Sequence, residues 1–196
     1  MSSAAAPGLP SDSTSEEAGT VITPTSDRNL DGYGAPLIPW EKVQARLDAG
    51  ASQAPGTGGP NRHTSWLATI DPDGRPHVMP VGALWIDGAY YFTSGPGTRK
   101  SRNLAADPRC SITVAMDPFD VVVEGVAERV TDEPTLERVR DTYKGGWEPV
   151  IEDAAFTAPF SAPSAGPPPW YVYRLTPSTV FALGAEDPFG ATRYTF

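Results

Sequence analysis

The sequence has a single cysteine and few basic residues. Cys110 cannot form an internal disulfide, since a disulfide needs two cysteines. The chain has 15 Lys and Arg residues against 24 Asp and Glu, which gives a formal net charge of -9. A chain this acidic is not expected to bind nucleic acid or an anionic membrane, because both need a basic protein surface. We expect Cys110 to be a small buried residue at the start of a strand.

Long apolar runs, an export signal and metal ligands are also missing. No run approaches the roughly 18 residues of a membrane-spanning helix, and the N-terminus lacks the basic and apolar regions of a secretory signal. We therefore expect a cytoplasmic protein without a membrane partner. The two histidines, His63 and His77, have no Cys or His residues at ligand spacing around them, so no metal site is expected.

Motifs for nucleophilic catalysis are missing as well. The sequence has no GxSxG motif, and no hydroxyl or thiol lies in a recognisable nucleophile context with a base. Any chemistry should therefore come from a borrowed cofactor. No catalytic side chain is assigned.

The first 35 residues differ in composition from the rest of the chain. Residues 1–35 are rich in Ser, Pro, Ala, Gly and acidic residues and have few bulky apolar groups, so burial cannot repay the entropy of ordering them. We predict a flexible tail over residues 1–35 and one domain over residues 36–196. Removing residues 1–30 should then leave the melting temperature nearly unchanged.

Period-two patterning dominates from residue 64 onward and predicts an antiparallel, mainly β domain with two or three inserted helices. The predicted helices are WEKVQARLDAG, with Val43 and Leu47 facing the core, residues 98–106, and DEPTLERVRDTYKGG. GATRYTF is either a last strand or an arm. The predicted strands are TSWLATI, RPHVMPVGALWI, AYYFTS, CSITVAM, DVVVEGVAERV and two within YVYRLTPSTVFAL.

The stretch TSGPGTRKSRNLAADPR, residues 93–109, places Arg99, Lys100 and Arg102 in the first turn of the second predicted helix. Cations are unfavourable there, because a helix N-terminus carries partial positive charge and unpaired N–H groups. A bound phosphate would reverse the sign of this effect. The sequence therefore favours an anion site slightly over the alternative, in which the bases are solvated or paired with Asp107 or other acidic residues.

The stretch PHVMPVGALW is the second candidate for ligand contact. Pro80 has no N–H group and Gly82 permits close backbone approach, so we expect the strand to leave its partner here. Alternation places His77, Met79 and Val81 on one face. The released backbone groups can face a flat heterocycle, but an edge strand with a bulge that packs Met79 and Trp85 into the barrel is about equally consistent with the pattern.

The run from WLATIDPDG through TSGPGTRKSRNL to VVVEGVAERVTD, together with the GATRY ending, resembles the pyridoxamine 5′-phosphate oxidase-like superfamily of split β-barrel flavoproteins. Within it, the sequence is most similar to the flavin/deazaflavin oxidoreductases that use coenzyme F420. The resemblance covers about residues 40–196. It implies an antiparallel split β-barrel of the FMN-binding type and a homodimer with two cofactor sites at the interface.

The resemblance also implies site residues and a reaction. It implies hydride transfer between reduced F420 and an electron-poor conjugated small molecule, with FMN as the alternative cofactor and a non-catalytic binding protein as a further alternative. Residues 147–169 have no clear period and are considered as a lid. The implied cofactor contacts are Thr93, Ser94, Arg99 and Lys100 at the phosphate, with Thr98 and Asn103 beside them; His77, Val78, Met79, Pro80 and Val81 at the ring; and Arg193 and Tyr194 on a terminal arm, where many relatives carry Trp in place of Tyr194.

Overall fold

The computed structural model describes residues 21–50, 64–143 and 147–196. In these residues a nine-stranded antiparallel sheet carries three α-helices and one short 3-10 turn, and a separate two-stranded hairpin lies beside it. The sheet is not closed, so the expected mainly β, split-barrel fold is confirmed. The elements are β1 Ser26–Asn29, α1 Trp40–Asp48, β2 Ser65–Ile70, β3 Pro76–Val81, β4 Ala83–Ile86, β5 Ala89–Ser94, α2 Arg99–Ala106, β6 Arg109–Ala115, β7 Phe119–Val130, α3 Glu133–Thr142, β8 Val150–Glu152, β9 Ala155–Thr157, the turn Pro163–Ala165, β10 Tyr171–Gly184 and β11 Ala191–Thr195.

Strand β10 organises the sheet. One edge of β10 pairs with β7 along nearly its whole length, and the other edge pairs first with β5 and then with β11. The prediction of two strands in this region is wrong, because β10 continues through Pro177. Proline cannot donate to the ladder, and the chain accommodates it with a register shift between Pro177 and Thr179 instead of a break.

The stretch RPHVMPVGALWI divides at Gly82, where we expected the chain to leave its partner. Before Gly82, β3 pairs with β2 at the edge of the sheet. After it, β4 pairs with β5. The expected departure is therefore confirmed, and the single predicted strand becomes two.

The helices and the cysteine agree with their sequence patterns. Helix α1 buries Val43 and Leu47. Asp132 caps α3, since its side chain accepts a hydrogen bond from the Thr135 N–H at 3.0 Å. The predicted end of α3 at Gly145 and Gly146 lies outside the described residues. So do His63 and the Gly- and Pro-rich stretch APGTGGP, residues 54–60, which predicts a loop. Cys110 is buried in β6, and burial raises the pKa of its thiol to about 12.

Buried side chains form two groups. The larger group fills the barrel and includes Phe92 and Leu175. The smaller group packs α3 and residues 147–172 against the opposite side of β4 and β5, with Trp147, Phe156 and Trp170 at its centre. In the described part of the chain, no helix is long and apolar enough to cross a bilayer.

The domain begins earlier than predicted. Strand β1 pairs with β11, and Ile22 packs on the barrel core, where its carbonyl accepts a hydrogen bond from the Trp40 indole at 2.7 Å. A start at residue 36 is therefore too late. Residues 1–20 lie outside the described residues, so a tail over that part stays a prediction.

Truncation tests this boundary. Deleting residues 1–30 removes β1 and Ile22, and the lost ladder bonds and apolar contacts should cost about 2 kcal/mol. For a domain of this size that corresponds to a fall in melting temperature of about 4–8 °C. A chain lacking only residues 1–20 is the control and should melt with the full chain in calorimetry. Equal melting of all three chains would show that β1 does not stabilise the fold.

Candidate functional site

A cluster of hydroxyls marks the turn between β5 and α2. Thr98 is the N-cap of α2, and its hydroxyl accepts a hydrogen bond from the Ser101 N–H at 3.3 Å. The Ser94 hydroxyl lies 2.7 Å from the Thr98 hydroxyl and accepts a hydrogen bond from the Ser101 hydroxyl at 2.9 Å. The structure thus brings together Ser94 and Thr98 as predicted, and Ser101 joins them.

Lys100 is the buried cation of this turn. Its side chain extends from the first turn of α2 and the residue is only 3% exposed, and its Nζ donates to the Ser164 carbonyl at 2.6 Å. Among the residues that the structure describes, no carboxylate forms an ion pair with Lys100. Burial lowers the pKa of its ammonium, because the charged form is poorly solvated there. An ammonium with three N–H donors and one neutral acceptor is poised for an anion.

Lys100 lines a cleft between four parts of the chain. The cleft lies between the break after β3, the end of β5, the start of α2 and the segment that follows α3. Its lining residues are Val81, Gly82, Thr93, Lys100, Tyr143, Trp147, Ser161, Ala162, Ser164 and Ala165. Three of the predicted contacts, Val81, Thr93 and Lys100, therefore meet at one place.

Tyr143 is a lining residue that the sequence did not predict, and Trp147 lines the cleft from the start of the segment that was considered as a lid. Tyr143 has the spacing of a core residue in α3, and burial raises the pKa of its phenol, which stays protonated at neutral pH and is able to donate a hydrogen bond. The two rings pack edge to face with centroids 5.0 Å apart. No local sequence pattern predicts that these two rings line the cleft, because the end of α3 reaches the cleft only through the tertiary fold.

Arg99 is paired within the chain. Its Nε donates to a carboxylate oxygen of Asp71 at 2.9 Å, and a second guanidinium nitrogen bonds the other oxygen. The Asn103 amide donates to the same carboxylate at 2.8 Å. These contacts hold the pKa of Asp71 below its ordinary value, with the Arg99 hydrogen bond as the main cause. Arg99 and Asn103 therefore fasten α2 to the end of β2.

The alternative to an anion site, in which the bases pair with acidic residues, holds for Arg99 through Asp71 and not through Asp107. Asp107 pairs with Arg109 instead, at 2.6 Å. Arg102 turns back and donates to the Gly97 carbonyl. Arg99 and Arg102 therefore bond to the chain's own oxygen atoms, and Lys100 is the buried cation of the cleft.

The predicted ring contacts on β3 lie on two faces. His77 and Met79 are partly buried and Val81 is buried on the inner face, whereas Val78 and Pro80 are exposed on the outer face. This alternation follows from the two-residue period of a strand. In one chain, the five residues therefore cannot line a single surface.

The C-terminal residues do not approach the cleft within one chain. Tyr194 is fully buried, donates to the Ile38 carbonyl at 2.6 Å and packs against Trp40. Tyr194 thus has a packing role and not the implied ligand contact. Arg193 is partly exposed on β11. It pairs with Phe181 of β10, ten residues beyond the pairing of Tyr171 with Ser94 and roughly 30 Å along the strand.

Comparisons with known proteins agree with the fold. Residues 59–183 match the family model described as pyridoxamine 5′-phosphate oxidase. A pyridoxine/pyridoxamine 5′-phosphate oxidase from Burkholderia thailandensis is 31% identical over 141 residues, which cover 62% of this chain and 65% of the relative. The chain thus matches less than two thirds of that protein's length.

Two solved structures share the fold. A conserved hypothetical protein from Mycobacterium tuberculosis has a TM-score of 0.53 at 22% identity, covering 78% of this chain and 89% of the other. A pyridoxamine 5′-phosphate oxidase-related, FMN-binding protein from Nostoc punctiforme has a TM-score of 0.50 at 17% identity, covering 80% and 90%. At these identities the likeness establishes a shared architecture.

The Asp71 cluster gives a pH-dependent prediction. Asp71→Asn removes the charge that faces Arg99, so the melting temperature should fall by a few degrees near neutral pH. The folded-state pKa of Asp71 is lowered, so its contribution to stability is present above the ordinary carboxyl pKa of 3.8 and is lost as the pH falls through the lower folded value. The difference between wild type and variant should therefore disappear in acid.

Asp73→Asn is the matched control, because Asp73 forms an exposed pair with Arg75 and such pairs contribute little to stability. Thermal melts from neutral to acidic pH would measure both variants. A constant difference between wild type and Asp71→Asn across that range would contradict the assigned role of the Asp71 carboxylate.

Proposed function

We propose that this chain, which belongs to the pyridoxamine 5′-phosphate oxidase family, is an oxidoreductase that holds the phosphate of a flavin-type cofactor at Lys100 and the turn before α2. The observation that carries the proposal is Lys100 itself, a buried ammonium in a cleft whose described neighbours supply no carboxylate. Keeping a cation buried is costly unless an anion or strong acceptors compensate for the lost hydration.

The turn fits a phosphate in a second way. The Gly95 N–H donates to the Ala165 carbonyl oxygen at 2.8 Å, and a Cβ at this position would lie only 2.7 Å from that oxygen. Glycine therefore leaves room for an oxygen atom directly at the backbone donor. Gly95, Lys100 and the hydroxyl of Thr93 would hold the phosphate oxygens, while Thr98 and Ser94 shape the turn.

We further propose coenzyme F420 as the cofactor, supported by the similarity of TSGPGTRKSRNL to the deazaflavin-dependent branch. FMN is the second candidate, and the FMN-binding relative of the same fold favours it. When bound, either ring system supplies hydride exchange with an electron-poor conjugated substrate. The chain's own part is to bind and orient the two planes and to exclude water. His77, Met79 and Val81 would line the ring from β3, beside the break at Gly82.

A dimer is supported by the outer face of the sheet. Trp66, Val78, Val126 and Leu183 are each more than 40% exposed on this face, and an exposed apolar surface of this kind marks an interaction site. The register of the strands aligns one row of cross-strand neighbours across the outer face of the sheet. The row runs Pro80, Trp66, Thr113, Val122, Phe181 and Arg193.

The same row offers a place for Arg193. In a two-fold dimer both copies use the same surface, so residues at opposite ends of the row exchange places across the axis. Arg193 of one copy would then lie near Pro80 and Val78 of the other. We propose that these outer-face residues contribute to the cofactor site only in the dimer.

Lys100→Met tests the phosphate assignment. The variant keeps the apolar stem and removes the charge, so affinity for F420 or FMN should fall about 10- to 100-fold, the effect of losing a hydrogen bond from a charged group. Equilibrium titration read by fluorescence would measure it, with Lys42→Met as the exposed lysine control. Unchanged affinity in Lys100→Met would overturn the assignment.

The lowered pKa of Lys100 gives a second readout. Since only the ammonium attracts an anion, affinity for inorganic phosphate should begin to fall at a pH below the 10.5 of an ordinary lysine. Titrations from about pH 7 to pH 10 would show this fall in wild type and not in Lys100→Met. Parallel pH profiles for the two proteins would contradict it.

Activity assays separate the remaining alternatives. The loaded protein should reduce conjugated acceptors, and pyridoxamine 5′-phosphate belongs in the same screen because relatives are named as oxidases of that compound. Turnover of pyridoxamine 5′-phosphate alone would replace the proposed substrate class. Cofactor binding without turnover of any compound would favour a binding protein.

Trp66→Asp tests the dimer. A carboxylate at the centre of the apolar row should convert a dimer into a monomer in sedimentation experiments. Val150→Asp is the control, because Val150 is also more than 40% exposed but lies on the separate β8–β9 hairpin. A wild-type chain that sediments as a monomer would overturn the proposed dimer.

A further inference from the structure

Residues 161–167 form a strap across the turn that we assign to phosphate. Two of its carbonyl oxygens face the donors of that turn. The Ala165 carbonyl accepts a hydrogen bond from the Gly95 N–H at 2.8 Å, and the Ser164 carbonyl accepts one from the Lys100 ammonium at 2.6 Å. The strap thus presents two oxygen atoms where a phosphate would present its own.

The strap is fastened at a small number of points. The Trp170 indole donates to the Gly166 carbonyl at 2.9 Å, and the Ser164 hydroxyl reaches the Pro80 carbonyl at 3.4 Å. Its own regular structure is the single turn Pro163–Ala165. Ala165 is the one buried residue of the strap and packs in the smaller group of buried side chains. An element with one buried residue and without ladder partners opens at low free-energy cost compared with the core strands.

The strap and a phosphate compete for the same donors. A backbone N–H donates well to one acceptor, so Gly95 cannot serve Ala165 and a ligand together. Lys100 has three N–H donors, but in the closed strap its side chain is buried beneath Ser164. A charged phosphate is a stronger acceptor than a neutral carbonyl, so it is able to displace the strap.

We propose that the strap is an internal competitor for the cofactor phosphate and that it must move away from Gly95 and Lys100 before the cofactor binds. This inference rests on the proposed function and adds regulation of the same site. The apparent dissociation constant is then the intrinsic one divided by the fraction of molecules with an open strap. Weakening the closed strap should tighten binding, although no ligand contact is changed.

Gly166→Ala is the test variant. Gly166 has φ 75° and ψ -174° in the closed strap, a conformation that is essentially restricted to glycine. A Cβ there would also lie 3.2 Å from the Thr98 methyl group. Alanine therefore strains the closed strap by more than it restricts the open chain, and it leaves Gly95 and Lys100 unchanged. We expect FMN and inorganic phosphate to bind about tenfold more tightly.

Two further variants complete the design. Gly34→Ala is the matched control, because Gly34 also has a positive φ, and a Cβ there would meet no atom within 4 Å. Its affinity should equal that of wild type. Pro163→Gly loosens the strap by a different route, since glycine gives the open chain more conformational freedom, and it should also tighten binding.

Hydrogen exchange at the Gly95 amide reports on the strap without relying on affinity. In the free protein, exchange at Gly95 should be faster in Gly166→Ala than in wild type or Gly34→Ala. With FMN or phosphate bound, residues 161–167 should become more accessible while Gly95 stays protected by the ligand. This pattern distinguishes a displaced strap from one that closes over the ligand.

The binding and hydrogen-exchange results distinguish failure of the strap as a competitor from failure of the phosphate site at Lys100. Ligand binding of equal strength in wild type and Gly166→Ala, with slow exchange in the strap when the ligand is bound, would overturn the competitor and leave the phosphate site standing. Binding that is insensitive to Lys100→Met would overturn the site and, with it, the competitor. Failure of every variant to bind F420, FMN or phosphate would also overturn both.

Discussion

The site depends on how β10 divides its hydrogen bonds. One edge of this strand is fully used by β7, while the other edge serves β5 over Tyr171–Leu175 and β11 over Thr179–Leu183. The pairing of Tyr171 with Ser94 determines where β5 ends and therefore where α2 begins. The cleft around Lys100 lies at this end of β10, and the C-terminal strand is held at the far end. A shift in this register would move the turn relative to the wall formed by α3 and Trp147.

The three bases at the start of α2 each have an oxygen partner in the chain. The Asp71 carboxylate offsets the charge of Arg99. The Gly97 carbonyl accepts a hydrogen bond from Arg102, and the Ser164 carbonyl accepts one from Lys100. Only the first of these partners is an anion. Lys100 therefore keeps an uncompensated charge in a buried place, whereas Arg99 is half exposed and already neutralised. Electrostatics thus distinguishes two adjacent residues that look equivalent in the sequence.

Local patterns were sufficient for much of the fold. Period-two alternation predicted β2, β5, β6 and β7, and apolar spacing predicted α1. They were also sufficient to propose the anion site, because hydroxyls, glycines and a helix start are adjacent in the chain. Local patterns did not identify the residues that bond to Arg99 and Lys100. Asp71 lies 28 residues before Arg99 and Ser164 lies 64 residues after Lys100, and a single sequence has no short-range signal for such distances.

The elements that were missed have physical reasons. All four residues of β1 are exposed, so the strand has no alternation and is held by backbone bonds to β11. Pro177 resembles a strand end in the sequence, but a register shift on one neighbour is enough to accommodate it. Tyr194 resembles an exposed arm residue, yet its hydroxyl finds the Ile38 carbonyl inside the core. Tertiary contacts override local patterns in each of these places.

The lone cysteine has a practical consequence. Cys110 is buried and its thiol is held in the protonated form, and the thiolate is the species that reacts with alkylating labels. The native chain should therefore react only slowly with maleimide and thiol-specific spin-label reagents. Two cysteines introduced at exposed positions, one on the strap and one on the barrel, would be the reactive thiols of the protein, so the distance between two labels there becomes measurable by spectroscopy while Cys110 stays in place.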